Sequence, residues 1–161
     1  MSKYDVAVIG SGPGGYVAAI RCAQLGMKTA IIEKYNTLGG TCLNVGCIPS
    51  KALLDSSHHY DDAMKHFEEH GIEIPGEIKI NFEKMIARKK QVVDTTCSGI
   101  DYLMKKNEID VFTGMGSFVD ATHIKIDGEK SETIEATNTI IATGSKPGSL
   151  PFITLDKERV I

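Results

Sequence analysis

The sequence predicts an α/β fold in which a parallel sheet with inserted helices is followed by a β-meander. Near the N-terminus, an apolar strand runs through a glycine-rich turn into a helix and then a second strand. Two helical stretches come next, and short β-rich segments precede an apolar segment near residue 140. A chain of 161 residues can form one domain with a substantial core.

The composition, 42% hydrophobic and 24% charged, is that of an ordinary globular protein. The net charge of −3 comes from interspersed charges of both signs, which does not favour nucleic-acid binding. No apolar run approaches the ~20 residues of a membrane helix, and the first strand pattern begins by Tyr4, too early for a signal peptide. We therefore expect no nucleic-acid or membrane partner. We expect a cytoplasmic chain or, if an import peptide has been removed, one of the mitochondrial matrix.

A β-α-β unit occupies the N-terminal part of the chain. Tyr4 to Ile9 is a short strand rich in apolar and β-branched residues, and Tyr16 to Leu25 is a strong helix former that Gly26 ends. Thr29 to Ile32 is a second apolar strand, with Glu33 at its end. A helical crossover of this kind places the two strands parallel in one sheet.

Two helical stretches are inserted after this unit. The pattern from Thr41 to about Tyr60 is helical but contains Gly46 and Pro49, which predict breaks. Asn81 is a plausible N-cap. Apolar residues behind it recur at near-helical spacing, which predicts one long helix to about Asn107.

Strands and loops make up the rest of the chain. Asp127-Gly128 is a hairpin signal. The apolar stretch Asn138 to Ala142 predicts a strand that is buried on both faces and rejoins the parallel sheet. Residues 1–150 are expected to form the first part of one domain, and residues 151–161 an exit segment. The predicted meander strands are Asp110 to Thr113, Ser117 to Val119, His123 to Ile126 and Glu132 to Ala136.

The turn after the first strand reads GSGPGG and matches the GxGxxG pattern of Rossmann-like dinucleotide-binding units. Gly10 permits a tight turn, Gly12 allows the backbone to approach a pyrophosphate, and Gly15 allows close helix–strand packing. Glu33 follows at the distance expected of a carboxylate that binds a ribose diol. The pattern alone fits NAD and FAD equally. A domain that binds NAD alone would continue with further β-α units, which this sequence does not.

Cys42 and Cys47 are five positions apart in the first inserted helix. In a regular helix their Cα atoms would be ~8.6 Å apart, beyond the ~7 Å limit for a disulfide. A disulfide therefore requires a distorted helix, for which Gly46 and Pro49 provide. The spacing alone fits two buried free cysteines equally well. Cys22 falls on the first helix and is expected to be a core residue, whereas Cys97 lies on the long helix and has no obvious disulfide partner.

The segment from Gly39 to Leu54, GGTCLNVGCIPSKALL, resembles the redox-active segment of the pyridine nucleotide–disulfide oxidoreductase family. The resemblance extends over essentially the whole chain. The continuation from Ser50 and the stretch His70 to Ile74 are most similar to the family members that reoxidise protein-bound dihydrolipoamide. Mercuric and glutathione reductases are the closest alternatives, and a non-catalytic FAD-binding module is another.

The resemblance implies an FAD-binding Rossmann-like domain, truncated in this chain, with one role for each matching residue. Cys42 and Cys47 would form a redox-active disulfide in the oxidised protein. Cys42 would exchange with the dithiol substrate, Cys47 would pass electrons to the flavin, and Lys51 would lie near the reactive edge of its ring. No metal ligand is implied. The implied cofactor-binding residues are Gly10, Gly12, Pro13, Gly14, Gly15, Glu33, Lys34, Gly40, Thr41, Cys42, Lys51, Gly116, Ala142, Thr143, Gly144 and Ser145.

Members of the family also have parts that this sequence does not contain. The resemblance implies that NAD, the final electron acceptor, is bound by a domain beyond this chain. It also implies a homodimer that acts on lipoyl domains of 2-oxo-acid dehydrogenase complexes. The 161-residue chain alone is accordingly expected to be inactive.

Overall fold

The computed structural model describes residues 1–146, 148, 150–156 and 158–159. Lys157, Val160 and Ile161 of the expected exit segment lie outside the described residues. A short 3-10 helix, Phe67–His70, follows the third α-helix. The helices are α1 (Pro13–Gln24), α2 (Gly40–Asn44), α3 (Cys47–Lys65) and α4 (Phe82–Lys106). The strands are β1 (Lys3–Ile9), β2 (Thr29–Glu33), β3 (Asp110–Thr113), β4 (Met115–Phe118), β5 (His123–Asp127) and β6 (Glu132–Ile141).

The described strands form one sheet in the order β3-β2-β1-β6-β5-β4. The pairs β1–β2, β2–β3 and β1–β6 are parallel, whereas β4–β5 and β5–β6 are antiparallel. The predicted β-α-β unit is confirmed, since β1 and β2 lie side by side with α1 between them in sequence. The predicted return of the last strand to the parallel sheet is confirmed as well.

The parallel sheet has a hydrophobic core on each face, because successive side chains of a strand point to opposite faces. On one face, Val6, Val8 and Ile31 pack against residues of α1, α2 and α4, including Ala19, Leu43, Ile100 and Met104. On the other face, Ala7, Ile9, Ala30 and Ile32 pack against Ile124, Ile126, Ile134 and Ala136 of the meander. The parallel sheet is therefore the middle layer of three, which explains why β1 and β2 are almost continuously apolar.

The first inserted helix is broken once, between α2 and α3. Val45 ends α2, and Gly46 is the N-cap of α3. The expected break at Gly46 is confirmed and the one at Pro49 is wrong. Pro49 is the third residue of α3, where a backbone N–H has no intrahelical acceptor, so its ring does not interrupt the helix.

The long helix α4 begins and ends close to the predicted positions. The Asn81 side chain accepts a hydrogen bond from the Lys84 backbone N–H at 2.9 Å, which confirms the expected N-cap. Asn107 is the C-cap. Lys105 and Lys106 occupy the last turn, where a positive charge complements the helix dipole.

Two strand predictions are wrong. β3 pairs with β2 in the parallel sheet and is not part of the meander. The two strands expected around residue 137 are one strand, β6, because its parallel pairing with β1 extends from Glu135 to Ile141. The end of β6 is also not buried on both faces: Ile141 is 67% exposed, since the meander covers β1 and β2 but does not reach it.

Candidate active site

The glycine-rich turn between β1 and α1 is held by close backbone contacts. Gly10 has φ of +99°, and a Cβ at this position would lie 2.3 Å from the Ala142 carbonyl oxygen. A Cβ on Gly15 would lie 1.9 Å from the Gly10 carbonyl oxygen. Only glycine fits at either position, because any side chain would overlap the backbone of the turn itself or of the segment after β6.

The two other glycines of the turn face open space. A Cβ on Gly12 or Gly14 would meet no atom within 4 Å. Within the described part of the chain, neither backbone N–H donates to another residue, and Pro13 between them has none. Free donors at the N-terminus of a helix form an anion-binding site, since the helix dipole adds a partial positive charge there.

Glu33 lies beside this turn and is 6% exposed. Its Oε2 accepts hydrogen bonds from the Ser11 backbone N–H at 2.9 Å and the Ser11 hydroxyl at 2.6 Å, and its Oε1 accepts from the Tyr35 N–H at 3.1 Å. A carboxylate has about four acceptor positions, so about one stays available to a ligand. Glu33 is thus held in a fixed orientation at the end of β2 and is not a surface side chain.

The turn also contacts the beginning of α2. A Cβ on Gly40, where φ is +60°, would lie 2.6 Å from the Gly12 Cα. The Gly39 N–H donates to the Ser11 carbonyl oxygen at 3.0 Å. The exposed Thr41 follows directly. The candidate anion site and the cysteine-bearing segment are therefore adjacent parts of one structure.

Cys42 lies in α2, and Cys47 is the first residue of α3. Both are free thiols in this structure, and the Cys42 thiol interacts with Cys47. The side-chain hydrogen bond to Cys47, with desolvation and the Cys47 charge, raises the pKa of the Cys42 thiol. The break at Gly46 places the two cysteines in separate helices and folds the chain back, since a Cβ on Gly46 would lie 3.5 Å from the Cys42 Cα.

The Asn44 side chain ties this segment to α4, a contact that sequence reasoning missed. Its amide nitrogen donates to the Leu38 and Gly40 carbonyl oxygens at 3.1 and 2.9 Å. Its oxygen accepts from the Cys97 thiol at 3.5 Å. Cys97 is thus a free thiol without a disulfide partner, as expected, and its contact is a hydrogen bond to Asn44. Burial raises the pKa of the Cys97 thiol, and the half-buried Cys22 packs against the same core.

Arg88 of α4 makes a second contact that the sequence did not reveal. Its Nη1 donates to the Ala52 carbonyl oxygen at 3.0 Å and to the Ser56 hydroxyl at 3.2 Å. Its Nη2 donates to Asp55 Oδ2 at 2.7 Å. All three acceptors belong to α3, the helix that begins at Cys47.

The remaining residues singled out in the sequence, apart from Lys51, lie near the carboxyl ends of the parallel strands. Gly116 fits between the side chains of Ile9 and Ile32, where a Cβ would be 3.2 Å from the nearer methyl group. Lys34 lines an open cleft with Thr113 and the neighbouring turn. Ala142 donates its N–H to the Ile9 carbonyl oxygen, and Thr143, Gly144 and Ser145 follow it as exposed residues. Lys51 is exposed on α3.

The described residues contain neither a candidate metal cluster nor a candidate membrane helix. No group of three His, Cys, Asp or Glu side chains among them could hold a metal ion. No helix in the described part of the chain is both long and apolar enough to cross a membrane.

A dinucleotide-type turn joined to a pair of interacting thiols defines a class of redox proteins. Residues 4–160 match the sequence model of the pyridine nucleotide-disulphide oxidoreductases, and the chain belongs to this family. Its fold is similar to that of the HOCl-induced flavoprotein disulfide reductase RclA from Escherichia coli, with a TM-score of 0.75 and 28% identity over 96% of this chain and 32% of that chain.

Within the family, the chain is similar to dihydrolipoyl dehydrogenases. It is 51% identical to the one from Trypanosoma brucei brucei over 99% of this chain and 34% of that protein. It is 50% identical to the mitochondrial enzyme from Mus musculus over 98% of this chain and 31% of that protein. It is also 48% identical to a leghemoglobin reductase from Vigna unguiculata over 98% of this chain and 30% of that protein. The chain thus spans about a third of the length of the curated relatives it matches.

Proposed function

We propose that this chain is the FAD-binding, redox-active part of a dihydrolipoyl dehydrogenase, which oxidises protein-bound dihydrolipoamide and reduces NAD. The observation that carries the proposal is the cysteine pair on the two sides of the break at Gly46, next to a glycine turn with an open anion site. The similarity to dihydrolipoyl dehydrogenases over nearly the whole chain supports the choice of substrate.

The residues of the turn fit FAD. The open space at Gly12 and Gly14 admits a pyrophosphate, and the free N–H groups there would donate to it. The remaining acceptor position of Glu33 suits the adenosine ribose, and Gly116 and Lys34 would lie near the adenine. We assign Gly40, Thr41 and the residues Ala142, Thr143, Gly144 and Ser145 to the rest of the cofactor, and Lys51 to the edge of its ring.

The cysteine pair would collect two electrons from the substrate. In the oxidised pair, one substrate thiolate attacks the Cys42 sulfur, the Cys42–Cys47 bond breaks, and Cys47 leaves as a thiolate. The second substrate thiolate then attacks the mixed disulfide, forms the substrate disulfide and releases Cys42. The substrate dithiol is oxidised by two electrons, and the cysteine pair is reduced by two. Bound FAD supplies the next two-electron acceptor.

The other features proposed for the intact protein come from the family resemblance. NAD would be bound by a domain beyond this chain, and the protein would be a homodimer that acts on lipoyl domains of 2-oxo-acid dehydrogenase complexes. Mitochondrial proteins are among its relatives, which fits a matrix location, with the cytoplasm as the alternative.

The experiment is a comparison of substrates and variants in the full-length protein. We expect the protein to form NADH from NAD and dihydrolipoamide. We expect its reduction of glutathione disulfide or Hg(II) with NADPH to be much slower. We expect Cys42→Ser and Cys47→Ser to lose NADH formation, while Cys22→Ser, a cysteine packed against the core, keeps it. Oxidised, denatured protein should show two fewer thiols than reduced protein.

The alternatives predict other results. A higher rate with glutathione disulfide or Hg(II) would assign the chain to another reductase of the family. FAD binding without any dithiol-dependent reduction would identify a non-catalytic flavin-binding module.

A further inference from the structure

The two cysteines lie in separate helices whose relative position is not fixed by a continuous hydrogen-bond ladder. Cys42 belongs to α2 and Cys47 to α3, and the chain between them passes through Val45 and Gly46. A Gly at this junction leaves the backbone much conformational freedom. Some other part of the fold must therefore hold the two sulfur atoms within reach of one another.

Helix α4 contacts both sides of the junction through polar side chains. On the α2 side, the Cys97 thiol donates a hydrogen bond to the Asn44 side-chain oxygen. The Asn44 amide nitrogen in turn donates to the Leu38 and Gly40 carbonyl oxygens. On the α3 side, Arg88 binds the acceptors at Ala52, Asp55 and Ser56. Arg88 and Cys97 are about 13 Å apart along one straight helix, from a rise of ~1.5 Å per residue. One rigid element thus spans the junction.

We propose that Arg88 is a positioning residue for the redox pair: by fixing α3 on α4, it holds Cys47 against Cys42. The proposal rests on the function proposed above. The guanidinium group suits this role because its donors are fixed in one plane and reach three acceptors of α3 together. A lysine has the charge but only a single ammonium group on a flexible chain.

The contact between Arg88 and α3 fixes the position of α3 more than it stabilises the folded protein. The Arg88 and Asp55 side chains are 47% and 51% exposed, and an ion pair this open to solvent adds little to the stability of a fold. The packing of α3 and α4 also rests on apolar side chains such as Ile48 and Val93. Loss of Arg88 should therefore let α3 shift without unfolding the protein.

The test measures how readily the cysteine pair is oxidised in the full-length protein with its flavin bound. Samples are equilibrated with reduced and oxidised dithiothreitol, quenched in acid and counted for free thiols. We expect Arg88→Gln to lower the equilibrium constant for forming the Cys42–Cys47 disulfide by roughly three- to tenfold, because the effective concentration of one thiol at the other falls. Arg88→Lys should show a similar loss. The unfolding midpoints of both variants should remain near that of the wild type.

The matched control is Lys65→Gln, which removes another exposed ion pair of α3, with Asp61, at the far end of the helix. Its equilibrium constant should be that of the wild type. Asp55→Asn tests the same contact from α3 and should lower the constant even if Arg88→Gln does not fold. An unchanged constant in Arg88→Gln, or full recovery in Arg88→Lys, overturns the positioning role alone. A wild-type protein that forms no Cys42–Cys47 disulfide overturns both this inference and the proposed function.

Discussion

The Cys42 thiol holds its proton more strongly than an ordinary thiol does. Cys47 is exposed at the start of α3, whereas Cys42 is half-buried and shares a hydrogen bond with the Cys47 sulfur. That hydrogen bond and the partial burial favour the neutral form of Cys42, so its pKa is raised. In the reduced pair, Cys42 therefore keeps its proton to a higher pH than an ordinary thiol, and Cys47 is the thiol more open to solvent.

Replacing Cys47 by alanine should lower the pKa of Cys42. The change removes the first cause of the raised value, the hydrogen bond to the Cys47 sulfur, and also the repulsion from a Cys47 thiolate. The apparent pKa in the pH profile of Cys42 alkylation should fall, and its thiolate fraction at pH 8 should rise. Peptide mapping after iodoacetamide labelling would give the profile for each protein in its reduced form.

A profile for Cys42 that is identical with and without the Cys47 sulfur would contradict this reasoning. The buried Cys97 is an internal reference, because the Cys47→Ala substitution leaves its hydrogen bond to Asn44 in place.

At the level of elements, the four glycines of the turn between β1 and α1 fall into two groups. Gly10 and Gly15 are needed by the protein itself, because their neighbours leave no room for a side chain. Gly12 and Gly14 are not, because a side chain there would point into open space. The first pair holds α1 on the sheet, and the second leaves room for a ligand at the start of α1.

The substitutions Gly15→Ala and Gly12→Ala should therefore have different effects. In Gly15→Ala the new methyl group meets the Gly10 carbonyl oxygen, and the overpacking should destabilise the fold by about 1–3 kcal/mol. Gly12→Ala should unfold within about 0.5 kcal/mol of the wild type, since its φ of −64° is allowed to alanine. It should nevertheless bind FAD more weakly.

Denaturant unfolding without flavin and flavin retention on gel filtration measure the two effects separately. Equal loss of stability in the two variants would show that the turn has one role. Full flavin retention in Gly12→Ala would place the pyrophosphate elsewhere.

Over the whole molecule, the sequence predicted what is encoded locally. The β-α-β unit, the break at Gly46 and the Asn81 cap each depend on residues close together in the chain. The contacts of Arg88 and Cys97 join residues 32–53 positions apart, and no local pattern marks such a partner. Likewise, the sequence predicted two strands that meet near residue 137, but pairing with β1 makes them one continuous strand, β6.

The 161-residue chain alone should not catalyse NADH formation from dihydrolipoamide and NAD, even with added FAD. It contains one dinucleotide fingerprint, which the flavin would occupy. His58 pairs with Asp62 and lies about 16 Å from Cys47 along α3, from a rise of ~1.5 Å per residue, too far to act as its base. Loss of a general base alone typically costs ~10²–10⁴ in rate.

An assay of absorbance at 340 nm on the purified chain would decide this point, with the full-length protein as the positive control. NADH formation above the background of free FAD would mean that the chain holds both a nicotinamide site and a base.

The position of β1 in the centre of the sheet has a consequence for biosynthesis. β2, on one side of β1, is translated soon after it. β6, on the other side of β1, is translated about 130 residues later, since its Asn138 pairs with Val6. At ~5–20 residues per second, a ribosome needs roughly 6–26 s to reach it. During that interval one edge of β1 has no partner, and an unpaired strand edge is a site of aggregation. The nascent chain should thus depend on chaperones most strongly before β6 leaves the exit tunnel.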